Sequence, residues 1–295
     1  MKVNHNKCNQ IIISQGFQNG IMGGPYHKEI DISENLKITI DQSLKRTITI
    51  SSKEEIKAED LFYSFQPLEK LLMLFDGRFY PISDIKSDND SLDDEHFKNK
   101  ILSSRLRYFN SADICQSPVL RLIQFQDILD DDIYTQWADI LDEMDIMYQS
   151  YLYSLSDNSM PRDINYAFIA EAAEPFVELV KDKTYYCKSL SPGERGTTLK
   201  MCIDSLITHF GEVIFSDELN NDYDKFLTKA VKSRVRIMHI KRFQDNHFDG
   251  ADCIRYLWKF SLLYRRILLE ILGIPYQKYC NQLKTAVNTI DKWNR

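Results

Sequence analysis

Four cationic side chains and one histidine are packed into ten residues near the end of the chain, Ser233-Arg234-Val235-Arg236-Ile237-Met238-His239-Ile240-Lys241-Arg242. Histidine is the side chain most often used to take and give protons near neutral pH. Guanidinium groups hold a phosphate through paired hydrogen bonds and stabilise the charge that builds on it during reaction. These residue types together can supply a base near neutral pH, His239, and guanidinium groups that hold a phosphate. Val231, Val235 and Met238 stand at i, i+4 and i+7, a stripe that can face a core. On a regular helix His239 falls about 80° from Val231, at the margin of that stripe. The plainer reading of the same residues is a helix with a basic solvent face and one half-buried histidine.

The elements that must position this segment divide the chain in two. Leu36–Ile40 and Arg46–Ile50 alternate apolar and polar residues around Asp41-Gln42-Ser43, the pattern of a hairpin with one buried face. Ile11–Ile13 is a further strand candidate. Pro67 is expected to open a short helix over Leu68–Asp76, stopped by Gly77. Phe79–Ile85, Arg105–Asn110 and Val119–Phe125 read as extended, and Lys86–Glu95 as a loop. From Ile133 the apolar spacing becomes helical, with Asp130, Asp131 and Asp132 where a helix N-terminus favours negative charge. Further helices are expected over Pro161 or Asp163 to Lys183, Thr197 to about Phe215, Asn221 or Asp222 through Arg234, Gly250 to Leu272, and Tyr276 to Lys292. The fold expected is therefore α+β: a β-rich N-terminal domain over residues 1–130, followed by an all-α bundle over 131–295.

Charge follows the same division. The net charge is −6, yet Lys225–Arg295 carries eight Lys and seven Arg against four Asp and one Glu, a local +10 that leaves −16 for the rest. A basic tail suits a phosphate-bearing partner, and the acidic front is a candidate cover for it. The six cysteines, Cys8, Cys115, Cys187, Cys202, Cys253 and Cys280, are scattered without zinc spacing and read as plain thiols. Neither a metal nor a cofactor is expected. The first residues, Met1–Lys7, lack the apolar stretch of a signal peptide, and no apolar run approaches the roughly 20 residues a bilayer needs. A cytoplasmic protein without membrane contact is the expectation.

Beyond the types themselves, Arg234-x4-His239 resembles the Arg-x(4–6)-His pattern of the HEPN superfamily. The flanking text is more specific. SRVRIMHIKR (233–242) and CIRYLWKFSLLYRRILLEILGI (253–274) resemble the ApeA-like HEPN group of bacterial anti-phage defence. LKMCIDSLITHFGEVIF (199–215) and NYAFIAEAAEPFVELV (165–180) are similar to its preceding helices. LEKLLMLFDGRFYPI (68–82) and IQFQDILDDDIYTQWADIL (123–141) are more loosely similar to the N-terminal domain found with it.

The resemblance implies a metal-independent endoribonuclease of abortive-infection defence, cleaving RNA, with tRNA a candidate, through attack by the ribose 2′-OH. It implies Arg234 on the scissile phosphate, His239 as base or acid, and a homodimer with the site at its interface. A phage-derived trigger would release the activity. The alternative is a non-catalytic HEPN-like module that binds protein or nucleic acid. Supporting roles fall to Arg236, to Glu171 and Glu174 as groups that orient the Arg or His, and to Lys241, Arg242 and His247 on RNA phosphates. Two departures stand out. Val235 occupies a position that is Asn in many such motifs. Arg234 and His239 also lie about 140° apart on a regular helix, whereas Arg236 is about 60° from His239. A distorted helix, pairing across two subunits, or Arg236 as the true partner would each account for this.

Overall fold

A computed structural model describes residues 7–15, 25–42, 46–77, 82–89, 98–99, 101, 121–155, 161–181, 198–239 and 245–293. The architecture is α+β, an antiparallel five-stranded sheet followed by helices. Two compact units divide the chain: one comprises Met1–Gln116 and Ile123–Leu141 and contains the sheet, the other Ser117–Leu122 and Asp142–Arg295. Among the described residues no helix is long and apolar enough to cross a membrane.

The sheet comprises β1 (Lys7–Gln15), β2 (Tyr26–Ser33), β3 (Leu36–Gln42), β4 (Arg46–Lys57) and β5 (Ile82–Ser87), in the order β2-β3-β4-β1-β5. The β3–β4 pair is the expected hairpin, with Ile38 opposite Ile50 and Ile40 opposite Ile48. The same two β4 residues face Ile11 and Ile13 of β1, and Ile38 also faces Ile30 of β2. Because side chains alternate along a strand, this register gathers the isoleucines into one fully buried face. Strand β2 is not among the expected elements, because Lys28, Glu29 and Asp31 around Ile30 mask its period.

Helix α1 (Ala58–Asp76) packs against β1 and β4. Pro67 lies inside it, not at its start, so the expected short helix begins at Ala58. Pro67 removes only the hydrogen bond that the Tyr63 carbonyl would have accepted, and the apolar face formed by Leu61, Phe62, Phe65, Leu68 and Leu72 carries the helix through. Gly77, at φ 71°, ends it as expected. Between β4 and the end of α1, Arg46 is fully buried. It donates from Nε to Gln42 at 3.0 Å and from Nη2 to Asp76 at 3.4 Å, and stands 4.7 Å from the Phe125 ring centre.

Phe125 belongs to a 3-10 turn, Phe125–Asp127, so the strand expected over Val119–Phe125 is not formed at its described residues 121–125. Leu122, Ile123 and Phe125 are apolar there because they are buried individually. Arg105–Asn110 lies outside the described residues. Helix α2 (Asp131–Leu155) begins at the aspartate cluster, where Asp130 accepts from the Ile133 N–H at 2.8 Å. Tyr134 and Trp137 donate to the Ser64 and Pro67 carbonyls of α1.

The second unit contains α3 (Arg162–Glu171), α4 (Ala173–Lys181), α5 (Leu199–Phe210), α6 (Ser216–Asn220), α7 (Tyr223–Met238), α8 (Gly250–Ile271) and α9 (Cys280–Trp293). The single helix expected from Pro161 or Asp163 to Lys183 is two. Pro175 has no N–H for the Glu171 carbonyl, and the helix breaks at Ala172. Thr198, Asp222 and Asp249 cap α5, α7 and α8 with side-chain oxygens. Gly211 ends α5 where a Cβ would lie 2.7 Å from the Ile207 carbonyl oxygen. Tyr276 opens a 3-10 turn, so α9 starts later than expected.

Removing Asp76 would leave the Arg46 guanidinium buried without its counter-charge. Asp76→Ala is expected to lower stability by about 3 kcal/mol, measured by chemical denaturation. A loss below about 1 kcal/mol would show that the pair does not hold the sheet to α1.

Candidate functional site

The site is built where α3 and α7 pack together. Tyr166 of α3 donates to the Ala230 carbonyl of α7 at 3.1 Å. One turn further along both helices, Glu171 meets Arg234. The contacts advance in the same direction along the two helices, so α3 and α7 run side by side in parallel. Tyr264 of α8 fixes α3 from behind, donating to the Ile169 carbonyl at 2.8 Å. Both tyrosine rings are buried, which raises the affinity of each phenol for its proton and keeps it a donor.

Arg234 donates from Nε to Oε2 and from Nη2 to Oε1 of Glu171, a two-pronged grip along one edge of the guanidinium. The arginine side chain is 17% exposed and the glutamate 35%, so the pair sits at the protein surface and not in the core. Nη1 makes no hydrogen bond among the described residues and remains free to donate elsewhere. The break at Ala172 places Glu171 at the last position of α3, where its side chain reaches α7.

α7 is helical through Met238, and only His239 departs, with φ −107° and ψ 8° as the cap. Its backbone N–H still bonds the Val235 carbonyl at 3.0 Å, and its side chain is exposed. Distortion between Arg234 and His239 is therefore confined to the last residue. Arg236 is half-buried and forms no ion pair among the described residues. Of the expected supporting residues, Glu171 joins Arg234, whereas Glu174 is exposed on α4 with no ion pair among the described residues. His247 is half-buried in the loop before α8, and Lys241 and Arg242 lie outside the described residues.

Two positioning residues were not anticipated. Ser233 is buried; its hydroxyl donates to the Lys229 carbonyl and accepts from the Phe248 N–H, both at 2.7 Å, tying the loop before α8 to α7 beside Arg234. Lys259 of α8 is fully buried, 2.9 Å from both oxygens of Glu218 and 3.1 Å from Asp291. Arg255 completes that cluster with Asp291 at 2.7 Å and Glu218 at 3.3 Å, joining α6, α8 and α9. Its sequence sign is a lysine inside the apolar run Leu257-Trp258-Lys259-Phe260.

Among the described residues no group of three or more His, Cys, Asp or Glu side chains converges as metal ligands. Cys253 of α8 is a buried thiol whose proton affinity burial raises, with Arg236 a smaller opposing influence. Burial is the largest influence and pushes this thiol up to about 12, so it stays protonated and is no nucleophile. Iodoacetamide at pH 8 is expected to label half-exposed Cys280 at least about tenfold faster than Cys253, read by mass spectrometry. Equal rates would place a reactive thiol beside Arg236.

The site thus offers a guanidinium aimed by a carboxylate, an exposed imidazole at the end of the same helix, and a further arginine between them in sequence. Such a set can bind a phosphate and move a proton. In comparisons with known proteins, no family model, no curated protein and no solved structure matches the chain.

Proposed function

We propose that the helical unit is a metal-independent endoribonuclease of the HEPN type, cytoplasmic and acting in anti-phage defence, with tRNA a candidate substrate and a phage-derived component its trigger. The observation that carries this reading is the grip of Glu171 on Arg234. It occupies one edge of the guanidinium and leaves Nη1 for a phosphate oxygen, on the helix that ends at exposed His239. Preorganised donors of this kind act where charge develops, and one is worth about 10²–10³ in rate.

In the proposed reaction one His239 takes the ribose 2′-OH proton and the 2′-oxygen attacks the adjacent phosphorus. The bond from phosphorus to the 5′-oxygen breaks, and the departing oxygen takes a proton from a second His239. Products are a 2′,3′-cyclic phosphate and a 5′-OH. A homodimer supplies both imidazoles. It also accommodates the roughly 140° between Arg234 and His239, because Arg234 of one subunit then works with His239 of the other.

A second reading has its own observation. Within one subunit Arg236, not Arg234, shares a flank with His239, and the Arg234 pair with Glu171 would serve a binding module equally well as a structural clasp. In that reading the unit binds protein or nucleic acid and cuts nothing.

Purified protein incubated with bulk tRNA in excess EDTA separates the two. Cleavage by wild type, reduced at least about 100-fold in His239→Ala and Arg234→Ala, is expected. Equal cleavage by these variants would overturn the assignment. If Arg236→Ala is the more damaging arginine change, Arg236 takes the phosphate-holding role. Glu171→Gln leaves Arg234 present but unaimed, so kcat is expected to fall about 10- to 100-fold with KM little changed. An unaltered kcat would reduce Glu171 to a structural clasp.

A further inference from the structure

Lys225, Lys229, Lys232 and Arg236 stand at i, i+4, i+7 and i+11 of α7. At 100° per residue they fall within an arc of about 60°, and they span about 16 Å of helix axis. The buried positions Phe226, Leu227, Ala230 and Ser233 fall between about 80° and 200° from Lys225, so the row runs along one margin of the buried face. Lys225 is exposed and the other three half-buried, and none of the four forms an ion pair with a described residue. Arg234, by contrast, lies about 180° around the helix from Lys225, on the flank held by Glu171. His239 falls about 40° from Lys225, so the row leads to the exposed imidazole.

A cavity of about 350 Å³ opens where the row begins, bordered by Lys225 and Lys229, a size at the low end for small-molecule sites. Its apolar lining is Phe226, Phe248 and Tyr256, with the last two rings stacked 4.3 Å apart at 26°. Acids line it too. Glu218 is engaged by Lys259 and Arg255, and Asp222 caps α7. Phe226, Phe248 and Tyr256 are 6%, 3% and 7% exposed, which leaves little ring face for stacking. The carboxylates accept hydrogen bonds and repel phosphate, so the cavity suits the amino edge of a base while the row suits the backbone.

We propose that the α7 row holds consecutive phosphates of a single-stranded RNA and delivers the strand to His239, with one nucleobase seated in the Phe226–Phe248–Tyr256 cavity. This deepens the nuclease reading and rests on it for the identity of the strand. A regular cation spacing of about 6 Å matches an extended strand and leaves the two-stranded geometry of a duplex unmatched, so duplex RNA of equal length binds more weakly.

The test is fluorescence anisotropy of the full chain, as His239→Ala to prevent turnover, with a labelled single-stranded 12-nucleotide RNA over a range of salt. Adding Lys225→Gln, Lys229→Gln and Lys232→Gln should weaken binding at least about tenfold and flatten the slope of log K against log salt by about 2, at roughly 0.7 for each phosphate no longer neutralised. Circular dichroism confirms that the variant remains folded. Unchanged affinity and slope, or no binding by the parent chain, would overturn the row. An abasic strand of the same length should bind about tenfold more weakly than RNA, and equal binding would remove the base from the cavity. The nuclease reading fails separately: if the chain with His239 intact binds the strand through the lysines yet the triggered protein never cuts it, the row stands as a binding surface. Cutting with unchanged KM in the lysine variant leaves the nuclease and removes the row.

Discussion

A guanidinium that is to meet a phosphate has to be held still beforehand, because an unheld arginine loses side-chain entropy at the moment of binding. In the proposed nuclease Glu171 provides that restraint for Arg234. Tyr166 on the Ala230 carbonyl and Tyr264 on the Ile169 carbonyl set the approach of α3 to α7 and α8. Pro175 ends α3 at the right residue by withdrawing one N–H. Ser233 holds the loop before α8 against α7 next to the arginine. The pair itself, partly open to water, contributes little to stability, as exposed ion pairs do. Its weight lies in the direction it imposes.

The buried charges of the molecule have a different task. Arg46 with Asp76, and Lys259 with Glu218 and Asp291, are enclosed by their elements. Such pairs are costly to desolvate and costlier to break. They link segments distant in sequence: β4 to the end of α1 in one unit, and α6 to α8 and α9 in the other. Hydrophobic burial alone does not specify which partner each surface takes. A charge that can be satisfied in only one arrangement favours that arrangement over near neighbours.

Several elements are legible directly. The β3–β4 hairpin shows through strict alternation, and α5 and α8 through their apolar helical runs. Gly77 and Gly273 stand in left-handed turns where glycine is favoured. The elements that differ from expectation share a physical reason. Pro67 reads as a helix start because proline favours that position, but tertiary burial overrides the local preference along α1. The run at Val119–Phe125 mimics a strand because isolated core plugs and strand residues have the same composition. In the site, the residue types draw attention to Arg234, Arg236 and His239. The choice of Arg234 rests on the HEPN resemblance and not on spacing, and Glu171 is one of two acids on the segment that resembles the first core helix. Nothing in the sequence separates Glu171 from Glu174. The separation comes from the break at Ala172 and the packing of α3 on α7, which are three-dimensional facts. Ser233 and the Lys225–Arg236 row are in view as letters, but their roles depend on which side of α7 is buried.

The central claim is that a 2′-oxygen, activated by His239, attacks a phosphate held by Arg234. The measurement that bears on it most directly is the chemistry of the ends left on tRNA cut by the triggered protein in EDTA. Ends resistant to 3′-ligation until a cyclic-phosphate-opening enzyme is added, paired with 5′-OH ends that accept a phosphate from a kinase, are the predicted result. Free 3′-OH and 5′-phosphate ends would mean that water is the nucleophile, and would contradict the account.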